Sequence, residues 1–147
     1  WIYYIACRYR GHRDLFAGLD PAIYNDDFFD PSTVICLAKL RRDGFVSLTD
    51  TAPEGGVVLT KPFPWSHGRL RVNAEVEDGG QIAAEVVDAD SLEPLPGRSA
   101  GECRAPHGDQ LAGEIEWKDG SDDGFGARPI RFRFYLRRAS LYSFWLS

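Results

Sequence analysis

Aromatic residues set among polar ones are the best chemical material in this sequence. Sugar rings have apolar faces that stack on Trp and Tyr, while their hydroxyls take hydrogen bonds from nearby Asp, Asn, Glu or Arg. Trp65 leads, in the stretch K-P-F-P-W-S-H-G. Pro62, Pro64 and Gly68 stiffen that loop, which is expected to present the indole to solvent with His67 and Arg69 beside it. Trp117 follows, next to an acidic stretch, and Tyr135 and Tyr142 are placed to line a face of the closing strands. The competing role for every one of these rings is core or domain-interface packing, and Phe144 and Trp145 are read as structural.

Other groupings carry less. Asp119, Ser121, Asp123 and Gly124 reproduce the first half of a calcium loop, in which oxygen ligands alternate and a glycine makes the sharp bend. The twelfth position of that loop is Ile130 where a bidentate Glu is required, so no EF-hand forms. Asp122 adds an oxygen, which leaves a looser, sandwich-type calcium site as the one cofactor expectation. Cys103 with His107, and Cys7 with His12, are each spaced like half of a zinc site, but tetrahedral zinc needs both halves together. Paired acids such as Asp26 with Asp27, Glu75 with Glu77 and Glu114 with Glu116 invite comparison with glycoside hydrolysis, which uses two carboxyl groups flanking a sugar. Acids two apart on a strand share its outer face and read as solubilising. No catalytic residue is expected within the chain.

The elements that must position these residues are strands. Ile130, Phe132, Phe134 and Leu136 alternate with Arg131, Arg133, Tyr135 and Arg137, the period of a half-buried antiparallel strand. A second strand over residues 141–146 is expected to pair with it as a closing hairpin. Leu70, Val72, Ala74 and Val76 alternate in the same way, and Ile82, Ala84 and Val86 answer them across Asp78-Gly79-Gly80, which predicts a central hairpin. Further short strands at residues 45–48, 57–61 and 111–117 complete seven, enough for a sandwich. No helix-period segment of useful length and no internal repeat appear.

Residues 1–8 and 33–40 also read as strands, rich in aromatic and β-branched residues. The stretch between them carries Asp14, Asp20, Asp26, Asp27 and Asp30 without a clear period, and two strands so joined cannot bury their own faces. The fold class is therefore all-β: an antiparallel β-sandwich, jelly-roll or concanavalin-like, over residues 43–147, preceded by a short β-hairpin segment over residues 1–42.

Composition agrees with a globular domain. The 147 residues are 44% hydrophobic, 13% aromatic and 27% charged, with a net charge of -5. A chain of this length buries roughly 70% of its unfolded surface. The negative balance excludes general attraction to nucleic acid, and no run approaches the ~20 apolar residues of a membrane helix. Neutral or sugar-like ligands fit better. Three cysteines allow at most one internal disulfide and leave one over. The absence of Met suggests a piece of a longer polypeptide.

Taken together, W-I-Y-Y at residues 1–4, V-I-C-L-A-K-L-R-R-D-G-F-V-S-L at 34–48, L-R-V-N-A-E-V at 70–76 and the closing R-P-I-R-F-R-F-Y-L-R-R-A-S-L-Y-S-F-W resemble the C-terminal end of five-bladed β-propeller glycoside hydrolase-like proteins, related to the fructan- and arabinan-cleaving enzymes. The resemblance covers nearly the whole chain. It implies that residues 1–42 are the terminal strands of the propeller and that residues 43–147 are an appended sandwich. It also implies an extracellular or periplasmic protein whose catalytic carboxylates lie on other blades. Two functions follow as expectations. One is a non-catalytic ancillary sandwich that binds a polysaccharide or oligosaccharide. The other is a structural module that stabilises the propeller or walls its cleft. A third, ranked below both, has the residue 14–30 loop contributing to an active site built elsewhere.

Overall fold

Strand alternation governs the architecture. In the computed structural model, which describes residues 1–7, 33–50, 52–118, 125, 126 and 128–147, the chain divides into two units, Trp1–Arg41 and Arg42–Ser147. The expected acidic loop over residues 9–32 lies outside the described residues.

The first unit contains β1 (Ile2–Cys7) and β2 (Thr33–Ala38). They pair antiparallel, with Ile2 opposite Ala38 and Cys7 opposite Thr33. Large apolar side chains stay exposed on this ribbon: Trp1, Tyr3, Ile5 and Ile35 are each more than half exposed.

The second unit is a seven-stranded antiparallel sheet made of β3 (Leu48–Thr49), β4 (Gly56–Leu59), β5 (Phe63–Pro64), β6 (Leu70–Asp88), β7 (Cys103–Arg104), β8 (Gly108–Trp117) and β9 (Pro129–Leu146). A 3-10 turn, Ala100–Glu102, precedes β7. β9 is central. It pairs with β6 along one edge and with β3, β4 and β5 along the other, while β8 extends the sheet beyond β6. The fold is all-β and sandwich-like, preceded by a small hairpin sheet.

Both expected hairpins are corrected by this pairing. Residues 70–76 and 81–87 do not pair with each other. They are successive parts of β6, which runs antiparallel to β9 from Leu70 opposite Leu146 to Asp88 opposite Ile130. Likewise residues 130–137 and 141–146 are one strand, β9. The Asp78-Gly79-Gly80 segment is a bulge: Val76 faces Ala139 and Gln81 faces Arg137, so residues 77–80 stand opposite Arg138 alone. Bulges of this kind bend a strand and increase its twist.

The bend makes a sandwich from one sheet. Ten residues of straight strand would hold Phe134 and Phe144 about 33 Å apart, yet their ring centroids are 5.2 Å apart. β9 therefore turns back over itself at the bulge, and β6 turns with it. Trp117, two residues beyond the Ile115 that faces Leu70, donates its indole N–H to the carbonyl of Ala84, fourteen residues further along β6.

Side-chain phase shifts by one residue at the bend, so the same face of the sheet stays buried. Before it, Ile130, Phe132, Phe134 and Leu136 of β9 are buried, as expected; after it, Ala139 and Leu141 are. Arg138, at φ 48°, absorbs the shift of phase. These residues form one core with Leu70, Val72, Ala74, Val76, Ile82, Ala84 and Val86 of β6. Each fully buried large side chain stabilises the fold by roughly 1.5–3 kcal/mol.

Candidate functional site

Trp65 is not a surface platform. It is 2% exposed, and its ring lies 5.4 Å from that of Phe132, 5.7 Å from Phe125 and 6.2 Å from Trp117. Its indole N–H donates to the carbonyls of His67 and Gly68, at 3.1 and 3.0 Å. The cause is local. Phe63–Pro64 form an edge strand against Pro129 and Ile130 of β9, where prolines are tolerated, and this directs the following residue inward. The proline-bounded loop thus wraps the indole and satisfies its donor. Trp117 is corrected in the same way: it is 7% exposed, bonded to Ala84, and lies beneath the buried Arg98 guanidinium at 5.4 Å.

The remaining expected residues are dispersed. His67 is exposed, with its ring bonded to the Ser66 hydroxyl at 2.9 Å. Arg69 turns to Glu114 at 2.7 Å, and Glu114 also receives Arg71 at 3.2 Å. Tyr142 donates to Glu75 at 3.2 Å on an exposed face. Asp119, Ser121 and Asp123, the calcium candidates, lie outside the described residues. Among the described residues no group of three or more His, Cys, Asp or Glu could hold a metal ion. Cys103 is half-buried, its sulfur accepting the Ala84 N–H at 3.3 Å, and burial pushes its thiol pKa up, which disfavours a reactive thiolate.

Tyr135 is different. It stands mid-way along β9 on the outer face of the sheet, with Val57 of β4 opposite on one side and Ala83 of β6 on the other. Above this row is an open groove with a volume of about 550 Å³, which Tyr135 and Ala83 line together with Glu54, Gly55 and Val57 on the β4 side and Gln81, Ala100 and Gly101 on the β6 side. The size suits a small ligand. Ala83, small and opposite a large ring, leaves the space open. Gly55, at φ 93°, packs so closely against the Leu136 carbonyl that no side chain fits there.

A partly buried ion pair fixes the tyrosine. Glu85, 5% exposed, accepts from Arg133 and from the Tyr135 hydroxyl on one carboxylate oxygen, both at 2.7 Å. Its other oxygen accepts the Ala100 N–H at 3.4 Å. Arg133 also donates to the Leu92 carbonyl at 2.9 Å. Burial, reinforced by the hydrogen bond to Glu85, raises the Tyr135 phenol pKa and keeps it protonated as the donor. An already ordered ring gives up little rotamer freedom when a ligand arrives.

In contrast, the polar side chains at the groove, Gln81, Arg137 and Glu54, make no hydrogen bond or ion pair with any described residue. The groove thus joins a fixed aromatic ring to uncommitted donors and acceptors. Sequence reasoning placed Tyr135 on the correct face but missed its partners. The signal was Glu85, a lone carboxylate within the apolar run I-A-A-E-V-V, whose burial demands a partner across the strand.

Compared with known proteins, the chain matches no family model, no curated protein and no solved structure.

Proposed function

We propose that this chain is a non-catalytic carbohydrate-binding β-sandwich belonging to a glycoside hydrolase-like protein that acts outside the cytoplasm, and that the groove over Tyr135 is its sugar site. One observation carries the reading: a half-buried ring pinned by Glu85 lines a groove of ligand size whose polar side chains are uncommitted. This is the combination that sugar recognition needs. Hydrolysis is disfavoured by the same geometry. Two carboxylates are needed for it, and Glu85, the one bonded to Tyr135, is buried and held by Arg133. Residues 1–42 are proposed to be strands of a propeller-like domain, a reading supported by the apolar exposure of β1 and β2.

A structural role is the second reading, and the burial of Trp65 and Trp117 favours it, since both rings serve the core. Gly101 separates the two. A Cβ there would meet nothing within 4 Å, so Gly101→Trp attaches a ring at the groove from open space and is expected to obstruct it. In affinity electrophoresis against soluble glucans, xylans, fructans and arabinans, wild type is retarded by at least one glycan and Gly101→Trp is not, at an unchanged melting temperature. A wild type that no glycan retards transfers the assignment to the structural module.

A further inference from the structure

β9 carries Arg131, Arg133, Arg137 and Arg138, and three of the four are engaged. Arg131 donates to the carbonyls of Ala89 and Thr60, Arg133 to Glu85 and Leu92, and Arg138 to Glu77. Arg137 is exposed, bonds to no described residue, and lines the groove. It shares the outer face with Tyr135, two residues and therefore about 6.6 Å along the strand. Gln81 stands directly opposite it on β6 and adds a side-chain amide.

We infer that the groove is selective for a sugar bearing a carboxylate, a uronic acid residue, with Arg137 as the group that recognises the acid. The inference rests on the sugar-binding reading of the groove and extends it to a ligand class. A pyranose seated on Tyr135 places its ring substituent within reach of the neighbouring side chain. A guanidinium presents two parallel N–H donors that match a carboxylate in a bidentate, charge-assisted pair. Glu54 lies in the same groove, and a carboxylate is an acceptor for sugar hydroxyls. Its charge, and the chain's net charge of -5, oppose a densely charged polyanion. The ligand is therefore an isolated or terminal uronic acid in an otherwise neutral glycan.

Isothermal titration of the full chain with a matched pair, cellobiouronic acid and cellobiose, tests this. The uronic acid binds about tenfold or more tightly, and added salt reduces the difference. Arg137→Gln abolishes the preference, so that acid and neutral sugar bind it with similar affinity, while Arg137→Lys, which keeps the charge and loses the fork, retains part of the preference. Equal affinity for the two sugars in wild type, or a preference that survives Arg137→Gln, overturns the inference and leaves the groove as a neutral-sugar site. Binding of neither sugar, here or across the glycan panel above, overturns it together with the reading on which it rests.

Discussion

Tyr135 and Trp65 show how burial decides what an aromatic side chain does. Tyr135 is tethered at its hydroxyl and lines a groove, whereas Trp65 is enclosed by three other rings and two carbonyls of its own loop. Trp65→Ala is accordingly expected to cost about 3–5 kcal/mol of stability, read by urea unfolding, through lost packing and a cavity. Tyr135→Ala is expected to unfold at a denaturant midpoint much nearer wild type and to lose glycan binding. The distinction was invisible in the sequence. Prolines and a glycine around Trp65 announce a stiff loop without saying whether the ring faces in or out, because that depends on β5 pairing with β9 across sixty-five residues. Tyr135 was legible because strand alternation alone assigns its face. Its hold by Glu85 was not, since it depends on the register between β6 and β9.

The paired bends in β6 and β9 are the critical element. Asp50 holds them: its carboxylate accepts the Arg138 N–H at 3.0 Å and the Ala139 N–H at 2.9 Å, where Arg138 has a left-handed backbone. Those bonds, the Ala139 one first, hold its pKa below the ordinary 3.8. Asp88 is lowered too, first by the Ser91 N–H and then by Arg128. A carboxylate whose folded pKa is depressed contributes stability that is complete above its unfolded value and is lost as pH falls through the folded one. Thermal melts are therefore expected to decline below pH 3.8, and less steeply in the double variant Asp50→Asn/Asp88→Asn. Gly80 tests the bulge sterically. An added Cβ would come within 2.5 Å of the Arg138 carbonyl oxygen and 2.9 Å of the Arg137 one, so Gly80→Ala is expected to cost about 1–3 kcal/mol in denaturant unfolding. Sequence reasoning took Asp-Gly-Gly for a hairpin turn because a turn and a bulge use the same permissive residues and leave the same faces buried. What separates them is the partner strand, fifty to seventy residues away, and no local pattern encodes it.

At the scale of the whole molecule the two units differ in how they are held. The second unit closes one core around a doubled-back strand pair, and the carboxy-terminal Ser147 is tied by reciprocal backbone bonds to Arg69. β1 and β2 form a two-stranded ribbon with its large side chains exposed, and such ribbons are marginal in water. Hydrogen exchange on the full chain is expected to show strong protection along β6 and β9 and little along β1 and β2. Comparable protection of β1 and β2 would mean that contacts beyond the ribbon's own hydrogen bonds stabilise it. All-β composition and the inner face of β9 were legible from periodicity. The folding of one sheet into two layers was not, because it arises where a bulge in β6 meets the left-handed Arg138 of β9, in strands distant in sequence.

Ligand is expected to bind in the groove over Tyr135. An NMR titration of the isotope-labelled chain with the glycan that retards it best tests this most directly. Shift changes are expected to be confined to Gly55, Gly56, Gln81, Gly101, Tyr135 and Arg137 and to be absent in Gly101→Trp. Saturable changes centred on the His67 or Tyr142 surfaces instead, or none at millimolar glycan, would contradict it.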